Sequence, residues 1–158
     1  MGHETAFAQL LAGHLGIEID DVAFKQADTD ATDIGGGHGG SRGLEVGGSA
    51  VLQTSRKIVD VATEIAAHKF DVEADKVEFS EGRFHVPGTN HTMTMHEAIE
   101  AQNDPDMLPD NMEPGALNVS TVFERGIISI PNGGHAAEVE VDPETGTIKV
   151  DGYWVIDD

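Results

Sequence analysis

The stretch Gly35-Gly36-Gly37-His38-Gly39-Gly40-Ser41-Arg42-Gly43, followed by Gly47-Gly48-Ser49, holds the residue types best suited to grip a ligand. In a helix or strand interior each glycine costs about 0.5–1 kcal/mol relative to alanine, so a run this dense belongs in a loop. A glycine-rich loop that opens a helix gathers several backbone N–H groups, and without β-carbons an anion can approach to hydrogen-bond distance. Ser41 adds a small donor and Arg42 a fork-shaped cation suited to phosphate or carboxylate oxygens. The competing reading is a flexible loop that holds nothing. Two familiar phosphate loops are excluded. The run has no Gly-Lys-Ser/Thr ending, and it comes after the polar Asp28-Thr29-Asp30-Ala31-Thr32-Asp33 instead of a buried strand, which leaves a dinucleotide fingerprint unsupported.

Other constellations are weaker. Asp28, Asp30 and Asp33 have the opening rhythm of a calcium loop, yet Asp33 stands where that loop needs glycine and Gly39 where it needs glutamate. The 8 histidines include no His-Glu-x-x-His pair, and His135 and Glu138 would face opposite sides of a strand. Gly39-Gly40-Ser41-Arg42-Gly43 formally fits a nucleophile elbow but lacks the buried strand that must precede one. Asn118-Val119-Ser120 is a glycosylation sequon that means little without a signal peptide.

Periodicity supplies the elements around the glycine run. Phe7, Leu10, Leu11 and Leu15 form a helical stripe over Glu4 to Leu15, with Gly16 placed to cap it. Val22, Phe24 and Gln26 alternate as a short strand leading to the loop. Helical spacing of apolar residues then runs from about Gly47 to Phe70, so the loop amides and the helix dipole would point at one anion. Val77 to Val86 reads as a hairpin about Ser80-Glu81-Gly82-Arg83. Thr94-Met95-His96-Glu97 has capping-box spacing for a short helix to about Gln102. Asn103 to Gly115, with three prolines, is expected as a surface loop, and Leu117, Val119, Thr121 and Phe123 alternate as a strand. A second hairpin is expected from His135 to Val141 and Thr147 to Ile156, about Asp142-Pro143-Glu144-Thr145-Gly146. On its second arm Ile148, Val150, Trp154 and Ile156 would share one face, with Tyr153 and Val155 on the other. Helices with antiparallel hairpins make an α+β fold.

Composition narrows the partners. With 29 acidic against 9 basic residues the net charge is −20, which disfavours nucleic acid and anionic membrane surfaces. There is no cysteine, hence no disulfide, thiolate nucleophile or sulfur-ligated metal, which leaves the compartment open though a reducing one fits; a cytoplasmic location is expected. No run of eighteen apolar residues occurs. The 158 residues fit a single domain by length. A hydrophobic helix starting almost at residue 1, and a last strand apolar on both faces, lead us to expect a piece of something longer, with Met1 in place of preceding residues.

Taken in order, Gly2-His3-Glu4-Thr5, Asp28-Thr29-Asp30, Gly39-Gly40-Ser41-Arg42, Pro131-Asn132-Gly133-Gly134-His135 and Glu138-Val139-Glu140-Val141-Asp142-Pro143-Glu144-Thr145-Gly146 resemble the molybdenum-binding large subunit of the xanthine dehydrogenase, aldehyde oxidase and carbon monoxide dehydrogenase family. The resemblance spans the whole chain. It implies an internal fragment, a single partial domain over 1–158, from the molybdopterin-binding region of a larger subunit. The parent would oxidise an aldehyde, an N-heterocycle or carbon monoxide with water-derived oxygen. Its cofactor is molybdopterin with molybdenum, commonly extended by cytosine dinucleotide in bacteria, and its partners are flavin and iron–sulfur subunits or domains. The resemblance places Gly2 in a Gly-Gln-Gly loop, with Met1 replacing the glutamine, and Gly39, Gly40, Ser41 and Arg42 in a second cofactor-binding loop. His38, Gly43 and Gly134 depart from the family pattern. The family's catalytic glutamate lies in a later segment, so no catalytic residue and no metal ligand is assigned here. The fragment alone is expected to bind cofactor weakly if at all and to be inactive.

Overall fold

In this computed structural model residues 2–30, 35, 37–126 and 132–157 are described. Contacts divide the chain into two compact units, Met1–Arg125 and Gly126–Asp158. The fold class is α+β, with helices beside antiparallel sheets.

In the first unit helix α1 (His3–Leu15) buries Ala8, Ala12 and Leu15 and ends at Gly16, whose left-handed backbone (φ 64°) lets its N–H reach the Ala12 carbonyl at 2.8 Å. Of the expected stripe Leu15 is buried, Phe7 and Leu11 are partly covered and Leu10 is exposed, while the two buried alanines let a neighbouring helix approach. That neighbour is α2 (Ser49–Phe70), where Ala62, Ile65 and Ala66 are fully buried. A π-helical turn, Gly43–Gly48, runs straight into α2, so the helical path begins four residues before the apolar pattern does. Glycine-rich, that turn shows no hydrophobic period from which its start could be read.

Strands β1 (Glu78–Ser80), β2 (Arg83–His85) and β3 (Thr92–Thr94) form an antiparallel meander in that order. Glu81 and Gly82 both take positive φ (48° and 74°), the geometry of a two-residue hairpin turn. Phe84 is paired with Met93 across the sheet, and both side chains are fully buried in the core that α2 also lines. Each large apolar side chain so buried contributes about 1.5–3 kcal/mol. Sequence alone missed β3, because its three residues look like the run-in to a helix.

Helix α3 (Met95–Ala101) starts at the expected capping box. The Glu97 N–H donates to Thr94 Oγ1 at 3.1 Å while the Thr94 N–H donates to Glu97 Oε2 at 2.6 Å. The proline-containing segment after it is not a simple surface crossing. Leu108 and Leu117 are buried, and Gln102 ties the segment back by accepting from the Gly115 and Leu117 N–H groups, both at 3.0 Å.

Two expected strands are absent among the described residues. Neither 22–26 nor 117–123 joins a sheet. Their alternation has another cause: each lies on a helix with every second side chain turned inward. Phe24 meets Phe7 of α1 at 5.8 Å between ring centroids. Thr121 hydrogen-bonds to Thr54 of α2.

The second unit is an antiparallel ribbon of β4 (Gly133–Val141) and β5 (Ile148–Asp157), as the second hairpin pattern predicts. A register shift corrects the expected faces. Glu138 pairs with Gly152 and Val139 with Val150, so Asp151 is an extra residue on β5. The bulge inverts the alternation beyond it. Tyr153 and Val155 therefore join Ile148 and Val150 on one face, opposite Trp154 and Ile156. His135 confirms the parity, since its ring reaches Tyr153, with Nδ1 3.1 Å from the phenol oxygen.

Candidate anion-binding site

The helical turn Gly43–Gly48 fixes the end of the glycine run. Arg42 caps that turn with right-handed backbone angles (φ −93°, ψ −2°), and its carbonyl accepts from the Val46 N–H at 2.9 Å. Immediately before it Gly40 (φ 61°) and Ser41 (φ 57°) are left-handed. A left-handed residue next to a right-handed one turns successive N–H groups toward a common point, the geometry of an anion nest. A serine held at positive φ is strained, roughly 1–2 kcal/mol above its preferred regions. Gly39, Gly40 and Ser41 are exposed, so the concavity is open, and a β-carbon added to Gly39 or Gly40 would meet no atom within 4 Å. The first N–H groups of the helical turn have no acceptor within the helix and carry its positive end. The Arg42 side chain is folded back, its Nη2 donating to the Gly37 carbonyl at 3.1 Å, which braces the loop beneath its own cation.

The first predicted loop comes to the same corner. Gly2 (φ 68°) caps α1, its carbonyl accepting from the Ala6 N–H at 3.0 Å. The next residue, His3, lies edge-on to His38 at 4.7 Å between ring centroids and stacks on Phe7 at 5.4 Å. Gln26 Nε2 is 3.3 Å from His3 Nδ1, which fixes the ring from behind. This column needs bare backbone on the facing helix. A β-carbon at Gly43 would lie 2.6 Å from His38 and 2.7 Å from His3, and one at Gly47 would lie 2.6 Å from Phe7. Gly43 and Gly47 are four residues apart and so share a face, toward α1. Neither glycine nor either histidine was singled out as a site residue from sequence, because their role depends on α1 lying against the helix start.

On the other side of the helical turn Glu45 is held by Arg125. Nε donates to Oε1 at 3.0 Å and Nη2 to Oε2 at 2.7 Å, and both side chains are about three-quarters covered. No sequence signal links two residues so far apart. With Thr121 on Thr54 and on the Ala50 carbonyl, this pair lays the segment before residue 126 along the start of α2.

Two of the weaker constellations can be placed in part. Asp28 is paired with Lys25 at 2.6 Å and accepts from the Asp30 N–H at 2.9 Å, as a turn-forming aspartate does. Asp33 lies outside the described residues, as do Met1, Gly36 and Pro131. Among the described residues no group of three or more His, Cys, Asp or Glu side chains could hold a metal ion. His135 and Glu138 fall on opposite faces of the ribbon.

A family model, the molybdopterin cofactor-binding domain, matches residues 1–158. This chain belongs to that family. Among its relatives is the carbon monoxide dehydrogenase large chain of Afipia carboxidovorans, 35% identical over 99% of this chain and 19% of the relative. The nicotine 6-hydroxylase large subunit of Paenarthrobacter nicotinovorans is 27% identical over the same shares. Among solved structures, the Cu,Mo-CO dehydrogenase superposes with a TM-score of 0.86 at 32% identity, covering 99% of this chain and 19% of that one. Quinoline 2-oxidoreductase from Pseudomonas putida 86 gives 0.78 at 26%, covering 99% and 20%. The chain thus spans about one fifth of the length of the relatives it matches. A molybdopterin cofactor-binding domain with an exposed nest accords with the fold and resemblance expected from sequence. The sequence by itself also allows a non-enzymatic anion- or nucleotide-binding module, or a structural α+β domain with a flexible glycine-rich loop, and beside this match neither is favoured. Among the described residues no helix is long and apolar enough to cross a membrane.

Proposed function

We propose that these residues form part of the cofactor-holding shell of a molybdenum hydroxylase large subunit. In this reading Gly39, Gly40, Ser41 and Arg42, with Gly2, hold the phosphate-bearing end of molybdopterin. The observation that carries it is the nest at Gly40-Ser41-Arg42 opening into a helix start, within a chain matched end to end by the cofactor-binding family. The residues fit the group: exposed amides and a positive helix end suit phosphate oxygens, and no side chain stands in the concavity at Gly39 or Gly40.

When bound, molybdopterin with molybdenum supplies the two-electron oxidation chemistry. This chain's residues bind and orient. The Ser41 and Arg42 amides with the helix start neutralise phosphate charge, the Ser41 hydroxyl donates to an oxygen, and the His3–His38 contact keeps the Gly2 turn beside the second loop. The whole subunit then oxidises an aldehyde, an N-heterocycle or carbon monoxide, and passes electrons to flavin and iron–sulfur partners in the cytoplasm. In this reading its cofactor is the cytosine dinucleotide form, whose diphosphate offers oxygens of the kind the nest amides suit. The activities named for the relatives support the substrate class.

The test uses the complete subunit. Gly40→Val and Arg42→Gln variants should retain circular dichroism yet lose most of their molybdenum, and cytidine monophosphate released by acid should fall in step. Variants that keep full molybdenum content would place the cofactor elsewhere.

A further inference from the structure

Glu45 poses an electrostatic difficulty that the fold resolves. It stands in the first turn of the helix that the glycine loop opens. A carboxylate there competes with any bound anion for the same positive helix end. The structure answers with Arg125, which grips both Glu45 oxygens from eighty residues away, at 3.0 and 2.7 Å. A bidentate guanidinium compensates the charge where a single hydrogen bond would only orient it.

We propose that Arg125 is a positioning residue for anion binding, acting through Glu45. It neutralises that carboxylate, so the start of the helical turn presents net positive potential to the ligand in the Gly39–Arg42 loop. This role rests on the proposed anion cradle. It assigns a ligand-binding consequence to a residue far from the loop in sequence and separate from the nest itself. The covering of both side chains matters, because a fully exposed pair would be screened to little effect.

Opposite signs distinguish this role from a mechanical latch. Pyrophosphate affinity of the full chain should be measured by calorimetry in low salt for wild type, Glu45→Gln, Arg125→Gln and the double variant. Removing the carboxylate takes one negative charge from the helix start and should tighten binding. Removing the guanidinium leaves Glu45 uncompensated and should weaken it. A unit charge acting over about 10 Å, in a medium between protein surface and water, changes affinity roughly 2- to 15-fold. The double variant should return near wild type, and moderate salt should shrink both single effects. If both single variants weaken binding alike, without salt dependence, the pair is only a latch and the proposal fails. Wild-type binding that neither substitution alters would overturn it while leaving the cradle standing. Absence of wild-type binding would instead bring down the cradle and this inference together.

Discussion

His38 lies edge-on to His3, ring centroids 4.7 Å apart, and both imidazoles occupy the space that a β-carbon on Gly43 would need. That single contact joins the two loops that the family resemblance assigns to the cofactor. It also explains why a glycine stands at 43, immediately after the nest. The loop is held in place by rings pressed onto bare backbone, so its shape depends on packing as much as on its own sequence.

Gly43→Ala should therefore act by overpacking. With neighbours at 2.6 and 2.7 Å the rings must move, but they are the ends of side chains and His38 is exposed, so the loss in urea unfolding should stay below the roughly 1–3 kcal/mol of an overpacked core. Adding His38→Ala should recover much of that loss, whereas Gly39→Ala, whose β-carbon meets nothing within 4 Å, should cost far less. A Gly43→Ala protein as stable as wild type would show that the column does not bear on the loop.

Ser41 is held at φ 57°. Replacing it with glycine should relieve the strain and stabilise the chain by about 1 kcal/mol, while Gly40→Val should destabilise by at least about 1 kcal/mol. Thermal midpoints moving in these opposite directions would check the backbone geometry of the nest independently of any ligand.

Glu97 should make the first unit sensitive to acid. The backbone N–H of Thr94, then its hydroxyl, hold the carboxyl below its ordinary value of 4.5. As pH falls the unfolded state takes up the proton first, so this contribution is complete above about 4.5 and disappears as pH drops through the lowered folded value. Glu97→Gln should flatten the stability–pH slope in that window. Thr94→Ala should cost about 0.5–2 kcal/mol at neutral pH and flatten the same slope. An unchanged slope in both variants would contradict the capping geometry.

The ribbon should be less protected than the core of the first unit. Val139, Val141, Ile148, Val150, Tyr153 and Val155 share one face and each is about half exposed or more, and a two-stranded hairpin by itself is marginal in water. Amide exchange should be fast throughout 133–157 and slow around Ile65 and Phe84. Protection of the ribbon equal to that of α2 would contradict this division.

Much of this was legible in the sequence because the responsible interactions are local. Thr94 and Glu97 satisfy one another three residues apart, Gly16 ends its helix by its own backbone, and the apolar period of α2 lies within one segment. What was not legible depends on partners distant in the chain. Alternation at 117–123 reads as a strand until α2 is seen to receive Thr121 and Glu45 to receive Arg125. The inserted Asp151 leaves no trace in composition, yet it moves Trp154 to the face opposite Val150. In the candidate site the glycines, Ser41 and Arg42 stood out by type, whereas His3, His38 and Gly43 acquire meaning only once α1 lies against the helix start.

Whether the Gly39–Arg42 loop binds an anion is the central question, and the most direct measurement is an amide-resolved NMR titration of the chain with pyrophosphate. Saturable shifts should appear at the amides of 39–45 and spread to Gly2 and His3, and Arg42→Gln should weaken the affinity about tenfold. Shifts confined to other regions, or none at these amides up to millimolar ligand, would contradict it.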